Sequence, residues 1–314
     1  MDAGDREEHE AGDLGEVGER HKDRSAAEHD ADRDGERGEE LNIPQHAAGF
    51  APELDDSGRK YREMPPSLRA AHALLTKKGR EASGCFLIEG PTLLEEAVRN
   101  EVEIAALFAT TQAYERFPLI RSFDDGRLVL VGEAALARLS AVERFSGLIA
   151  VARKRTVPLT SVLAHERLLL LAGLADPGNV GTLLRSAHAF GVRGVLLLEG
   201  GVELHNPKIV RAAMGAIFRL DCALLARAEA AEALRDRPII GADMEGVTLD
   251  TFAFPPGSVL MIGHERQGLR EAPIQPTALV GIPQHAATES LNAAVAGSII
   301  LYAWSRQRRL SSLG

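Results

Sequence analysis

The sequence predicts an α/β fold: a C-terminal domain built on a parallel sheet, preceded by a smaller α/β domain and an acidic tail. Three observations predict it. Apolar runs of strand length recur at Leu168 to Ala172, Gly194 to Leu198, Pro238 to Ala242, Ser258 to Ile262 and Ala278 to Ile282, and continuous runs suit strands buried on both faces. Helical segments separate these runs, and that alternation predicts a parallel sheet covered on both sides. Hydrophobic types make up 45% of the 314 residues, enough for two ordinary domains.

Residues 1–60 are rich in Asp, Glu, Arg, Gly and Ala, with almost no aromatic or β-branched residue before Ile43. Such a segment buries too little surface to offset its ordering entropy and is expected to be disordered. Its functional alternative is an acidic arm that shields a basic surface or contacts a partner.

Residues 61–155 form the small domain. Leu68, Ala71, Leu74 and Leu75 have helical spacing, Lys77, Lys78 and Arg80 follow, and Cys85 to Ile88 is an apolar strand. A helix is expected from Pro91 to about Asn100, strands at Ile104 to Phe108, Leu128 to Val131 and Gly147 to Ala152, and a helix at Glu133 to Leu139. Arg153, Lys154, Arg155 and Pro158 read as a short charged linker. Residues 156–314 form the parallel-sheet domain, whose ligand is expected beyond the carboxyl ends of the strands.

The net charge of −9 gathers in the tail. Residues 1–60 carry 19 of the 45 acidic and 8 of the 36 basic side chains, which leaves 26 acids and 28 bases for the rest. A near-neutral body neither argues for nor excludes a nucleic-acid partner, because recognition needs a local patch. Cys85 and Cys222 are too few for a disulfide framework or zinc site and read as buried thiols. No apolar run approaches the ~20 residues needed to span a bilayer, and the acidic first residues do not look like a targeting peptide, so a cytoplasmic protein is expected.

Three loops follow strands of the second half. In the first, Gly173 to Asn179, Asn179 is placed as the N-cap of a helix running to about Phe190, with Gly191 just beyond its end. Arg185 lies one turn above Gly181, whose missing side chain leaves room for a ligand; a cap and a solvated arginine would explain the pair as well. The second loop, Gly263 to Leu269, sets His264, Glu265, Arg266 and Gln267 between Gly263 and Gly268, which permits a tight turn whose backbone can touch a cofactor. His264 beside Glu265 lacks the second histidine of an HExxH motif, so no metal is expected. The third runs from Ile282 and Pro283 to Thr288, Ser290, Leu291 and Asn292, where Thr288 or Ser290 could cap the last helix. That helix carries Leu291, Val295, Ile299 and Tyr302 at helical spacing, a pattern of core or dimer interface.

Together, Asn179-x-Gly181-x-x-x-Arg185, Gly263-x-Glu265-x-x-Gly268-Leu269, and Ile282-Pro283 with Ser290-Leu291-Asn292 resemble the three motifs of the SpoU, or TrmH-like, RNA methyltransferases. Arg211 to Ala216 and Leu301 to Trp304 also resemble that family, and Lys77 to Arg80 with Phe86 to Gly90 resembles its L30e-like RNA-binding domain. Gln284 and His285 depart from the residues usual after Ile-Pro, and the acidic tail is not part of the family plan.

The resemblance implies a deep trefoil knot near the C-terminus, a homodimer, and S-adenosylmethionine bound by backbone around Gly263, Gly268, Ile282 and Leu291. It implies methylation of a ribose 2′-hydroxyl in structured RNA, ribosomal RNA favoured over transfer RNA. Asn179, Arg185, Glu265, Ser290 and Asn292 are then the catalytic group. Arg185 would bind the adjacent phosphate and stabilise the developing alkoxide, because a guanidinium stays protonated and makes a poor base. Asn179 would orient Arg185 or the ribose, Glu265 would hold Arg185 or Asn179, and Ser290 with Asn292 would complete the pocket. Lys77, Lys78 and Arg80 are candidate RNA phosphate contacts. Two other readings stay open: a non-catalytic RNA-binding relative, and a nucleotide-dependent oxidoreductase, which would need a GxGxxG turn after its first strand.

Overall fold

The computed structural model describes residues 66–140, 145–285 and 290–311. The acidic tail lies outside them. The small α/β part runs α1 (Pro66–Ala73), α2 (Lys77–Ser83), β1 (Cys85–Glu89), α3 (Pro91–Arg99), β2 (Ile104–Ala109), α4 (Thr111–Arg116), β3 (Leu128–Leu130), α5 (Glu133–Leu136) and β4 (Leu148–Arg153). The four strands form one mixed sheet in the order β1-β4-β2-β3. The expected first helix is α1, and the basic residues after it form a second, unexpected helix: the Thr76 hydroxyl accepts from the Gly79 amide and caps α2.

The second half runs α6 (Leu159–Leu163), β5 (Leu168–Ala172), α7 (Pro177–Ala189), β6 (Gly194–Leu198), α8 (Pro207–Ala212), β7 (Asp221–Leu225), α9 (Ala230–Ala233), β8 (Ile239–Thr248), β9 (Val259–Gly263), β10 (Ala278–Gly281) and α10 (Ala293–Ser311). Its six-stranded sheet has the order β10-β8-β9-β5-β6-β7, and every pairing is parallel. The apolar runs are explained by the two faces. Leu169 and Leu171 of β5 enter one hydrophobic cluster while Leu168 and Leu170 enter another on the opposite face. A fully buried leucine contributes roughly 1.5–3 kcal/mol, so β5 anchors both layers.

The first of these clusters also takes in Phe86, Ile88 and Leu94 from the smaller part, so one apolar body joins the two sheets. A seam of charge runs beside it. Arg80 is buried; its Nε and Nη2 meet Glu203 at 2.7 and 2.6 Å, and Nη1 donates to the carbonyls of Leu74 and Leu75. Lys154 Nζ lies 3.3 Å from the same carboxylate. Arg211 pairs with Glu89 at 3.3 Å and Arg219 with Glu96 at 2.9 Å.

The expected charged linker is pinned along its length. Arg153 completes β4 and pairs with Glu103, Lys154 reaches Glu203, and Arg155 meets Asp221 at 2.6 Å and the Leu220 carbonyl at 2.8 Å. No helix among the described residues is long and apolar enough to cross a membrane.

Candidate active site

Three segments meet beyond the carboxyl ends of β5 and β9, through side chains that the local backbone sets in place. Asp176, not Asn179, caps α7: its carboxylate accepts from the Asn179 amide at 2.8 Å, and Pro177 occupies the first turn, where no amide is needed. The Asn179 carboxamide is therefore free to face across the sheet. Its Nδ2 donates to Glu265 Oε1 at 3.0 Å, and the backbone amides of Ala175 and Asp176 donate to the same carboxylate at 3.3 and 3.2 Å. Burial pushes the Glu265 carboxyl up, but these hydrogen bonds, Asn179 foremost, hold it below its ordinary value.

Asn292 carries the connection onward. Its Nδ2 donates to Asn179 Oδ1 at 3.0 Å, while its Oδ1 accepts from the amides of Ala294 and Val295 at 2.9 and 3.2 Å, capping α10. The expected caps give way: Asn292 takes the place assigned to Thr288 or Ser290, and Thr288 lies outside the described residues. Each carboxamide has its oxygen and nitrogen engaged in opposite directions, so neither can flip without losing bonds. The result is a directed chain from the α10 backbone through Asn292 and Asn179 to Glu265. A second N–H on each amide remains to meet a hydroxyl or phosphate oxygen.

Ser290 is exposed beside Asn292, and among the described residues no hydrogen bond joins it to that chain. Arg185 is exposed on α7, and among the described residues it makes no hydrogen bond or ion pair. Six residues separate it from Asn179, about 9 Å along the helix and roughly a third of a turn around it. Glu265 thus holds Asn179 and not Arg185.

The expected space at Gly181 is filled. A Cβ there would stand 2.4 Å from Ala212 Cβ and 3.1 Å from backbone, so the missing side chain serves close packing of α7 on α8. The glycines of the second loop are set by the turn itself. The His264 amide donates to the Gly268 carbonyl at 3.0 Å and the return bond measures 2.8 Å; Gly268 has φ +61°, and a Cβ on Gly263 would lie 2.2 Å from the Gly268 oxygen. Bare backbone consequently lines the end of β9. Ile282, partly buried after β10, and exposed Leu291 add apolar surface at the same end of the sheet.

Of the three candidate phosphate contacts, Lys77 and Lys78 are exposed, Lys77 lying 3.7 Å from Glu81. Arg80 is not a phosphate contact: its guanidinium is sealed against Glu203 and two carbonyls. The sequence reading also missed a wide bulge in β8. Gly241 pairs with Leu279 of β10 and the next pair is Val247 with Val280, so residues 242–246 are extruded and leave Met244 and Val247 exposed. Gly246 gave a hint, since a side chain there would strike the Val280 amide. Among the described residues no three His, Cys, Asp or Glu side chains gather as a metal site would require.

Residues 166–302 match the SpoU rRNA Methylase family, and residues 66–150 match the MRM3-like substrate binding domain. The chain is 28% identical to the 23S rRNA (guanosine(2553)-2′-O)-methyltransferase RlmP of Bacillus subtilis, over 73% of this chain and 92% of that one. It is 30% identical to a protein of Synechocystis described as an uncharacterized tRNA/rRNA methyltransferase, over 79% of this chain and 93% of that one. The crystal structure of an AdoMet-bound rRNA methyltransferase from Sinorhizobium meliloti superposes with a TM-score of 0.67 at 26% identity, covering 77% of this chain and 95% of that one.

Proposed function

Because the chain belongs to the SpoU rRNA methylase family, we propose that it is an S-adenosylmethionine-dependent methyltransferase acting on a ribose 2′-hydroxyl of ribosomal RNA. The observation that carries the reading is the hydrogen-bonded chain Glu265–Asn179–Asn292, which unites three distant segments at the ligand-binding end of a parallel sheet. Ribosomal RNA is favoured over transfer RNA by the activity named for the Bacillus relative and by the added N-terminal part.

The end of β9 fits such a cofactor: Gly268, exposed with open space where a side chain would stand, offers bare backbone beside Gly263, and Ile282 and Leu291 offer apolar surface for a nucleoside. When bound, S-adenosylmethionine supplies an electrophilic methyl group on a sulfonium whose departure leaves a neutral thioether. The chain's own work is then to place the ribose and accommodate the charge that grows on its oxygen. Asn179 and Asn292, locked in orientation by Glu265 and the α10 amides, donate to the ribose. Ser290 completes the rim beside them. Arg185, exposed and without a partner among the described residues, grips the adjacent phosphate and stabilises the developing alkoxide, and the proton leaves to phosphate or water.

The smaller part, residues 61–155, holds structured RNA, with Lys77 and Lys78 as phosphate contacts. The protein works as a homodimer in the cytoplasm. Supporting the dimer, Val295, Ile299 and Tyr302 on α10, with Leu291 just before its cap, form an exposed apolar stripe. A deep trefoil knot near the C-terminus belongs to the same reading and is carried by the family likeness.

The test is incubation of the purified protein with S-adenosylmethionine and ribosomal RNA, with ribose methylation mapped by mass spectrometry. One methylated 2′-oxygen is expected, with Arg185→Ala lowering kcat/KM by about 100-fold while cofactor affinity holds. Arg185→Lys should recover part of the loss if charge alone matters and little if the guanidinium binds in a bidentate manner. A wild-type protein that binds the cofactor but methylates no ribosomal RNA overturns the reading; a strictly monomeric protein in sedimentation overturns the dimer.

A further inference from the structure

The segment Arg211 to Ala216 has no role in the chemistry above, yet packing accounts for nearly all of it. Arg211 pairs with Glu89, Ala212 receives Gly181 of α7, and Ala213 and Ala216 are buried. Gly215, at φ +85°, lies so close to α3 that a Cβ would come within 2.9 Å of the Glu96 side chain. Met214 alone is unexplained. It sits just past the end of α8 at φ +48°, and its side chain is 46% exposed.

That backbone position is one a glycine or asparagine fills without strain, whereas a bulky side chain is held there against the fold's preference. Strained residues of this kind gather where a side chain serves a ligand. The surroundings suit a polyanion. Helix α7 packs against residues 212–218, with Gly181 against Ala212 at one end and His188 in the field of Arg219 and Glu96 at the other. Arg185 lies between Gly181 and His188, about one helical turn from each and on the same side of α7. Arg211, three residues before Met214, pairs with Glu89, and Gly215 after it abuts Glu96, which pairs with both Arg99 and Arg219; Arg185 has no partner among the described residues.

We propose that Met214 contacts the RNA substrate, its thioether side chain packing on a nucleobase next to the ribose that Arg185 addresses. This rests on the methyltransferase reading and deepens it. A flexible, polarisable side chain packs on any base face, and the guanidiniums beside it hold the flanking phosphates.

The test compares wild type with Met214→Gly, Met214→Asn and Met214→Leu in the ribosomal RNA assay, alongside thermal unfolding, S-adenosylmethionine calorimetry and sedimentation. Expected are an unchanged or raised melting temperature for Met214→Gly and Met214→Asn, unchanged cofactor affinity and oligomeric state, and kcat/KM for RNA lowered about ten-fold. Met214→Leu should keep most of the activity. Full activity in Met214→Gly overturns this inference alone; so does a lowered melting temperature in both Gly and Asn variants, which would assign the side chain to the fold, or a changed oligomeric state, which would assign it to a subunit interface. A wild-type protein inactive on ribosomal RNA overturns the function and this inference together.

Discussion

At Gly181 one absent methyl group sets the distance between α7 and α8. Alanine ordinarily gains up to ~1 kcal/mol over glycine inside a helix, but here the added carbon would stand 2.4 Å from Ala212 Cβ with backbone close behind. Overpacking of this kind costs ~1–3 kcal/mol, so it wins. Gly181→Ala is expected to lower the urea midpoint with an unchanged m value, and an unchanged or higher midpoint would show that the two helices part at no cost. Helical spacing places Gly181 and Arg185 one turn apart, but the gap at Gly181 belongs to Ala212 and not to a ligand. Helical spacing shows which residues share a face; it cannot show what that face meets. Arg80 failed for the same reason. A basic triplet after a helix reads as a solvated loop, and nothing local reports that Glu203, 123 residues away, has closed on it.

The first residues of α10 separate two roles that one side chain performs. Asn292 Oδ1 caps the helix and Asn292 Nδ2 holds Asn179. Aspartate at this position keeps the capping oxygen and loses the donor, whereas alanine loses both. Asn292→Asp should therefore unfold near the wild-type midpoint yet methylate RNA poorly, while Asn292→Ala should also lose ~0.5–2 kcal/mol of stability. Equal activity in wild type and Asn292→Asp would detach the Asn179 contact from function. Elements of this kind were legible to different degrees. β5 and β6 match their apolar runs to the residue because both faces of each are buried. β7 escaped notice because it is an edge strand, with Leu224 69% exposed and Asp221 and Cys222 partly so, and no continuous apolar run marks it. The three loop motifs were legible through the family resemblance, but the hydrogen bonds between them are tertiary and are written in no single segment.

At the scale of the whole molecule, the charged seam that ties the two sheets together makes stability depend on pH. His205 lies within it, its ring 4.7 Å from that of Phe86 and its Nδ1 3.9 Å from Glu203, with Arg80 and Lys154 facing the same carboxylate. Burial, reinforced by the charge of Lys154, pushes the imidazole down to about 4 from its ordinary 6.5. Burial raises the Glu203 carboxyl, but Arg80 and Lys154 bring it below its ordinary value, which favours its charged form beside His205. The folded protein thus carries neutral His205 over a range where the unfolded chain carries it protonated. The unfolded state binds the extra proton, and stability must fall as pH drops from about 6.5 toward about 4. Between pH 7 and pH 5 the loss attributable to this one group is about 2 kcal/mol. His205→Asn removes the titration, so the difference in urea-unfolding free energy between wild type and variant should change by about that amount over the same interval. A difference that stays constant from pH 7 to pH 5 would mean that the imidazole is hydrated in the folded protein, and that the seam between the sheets is open to water.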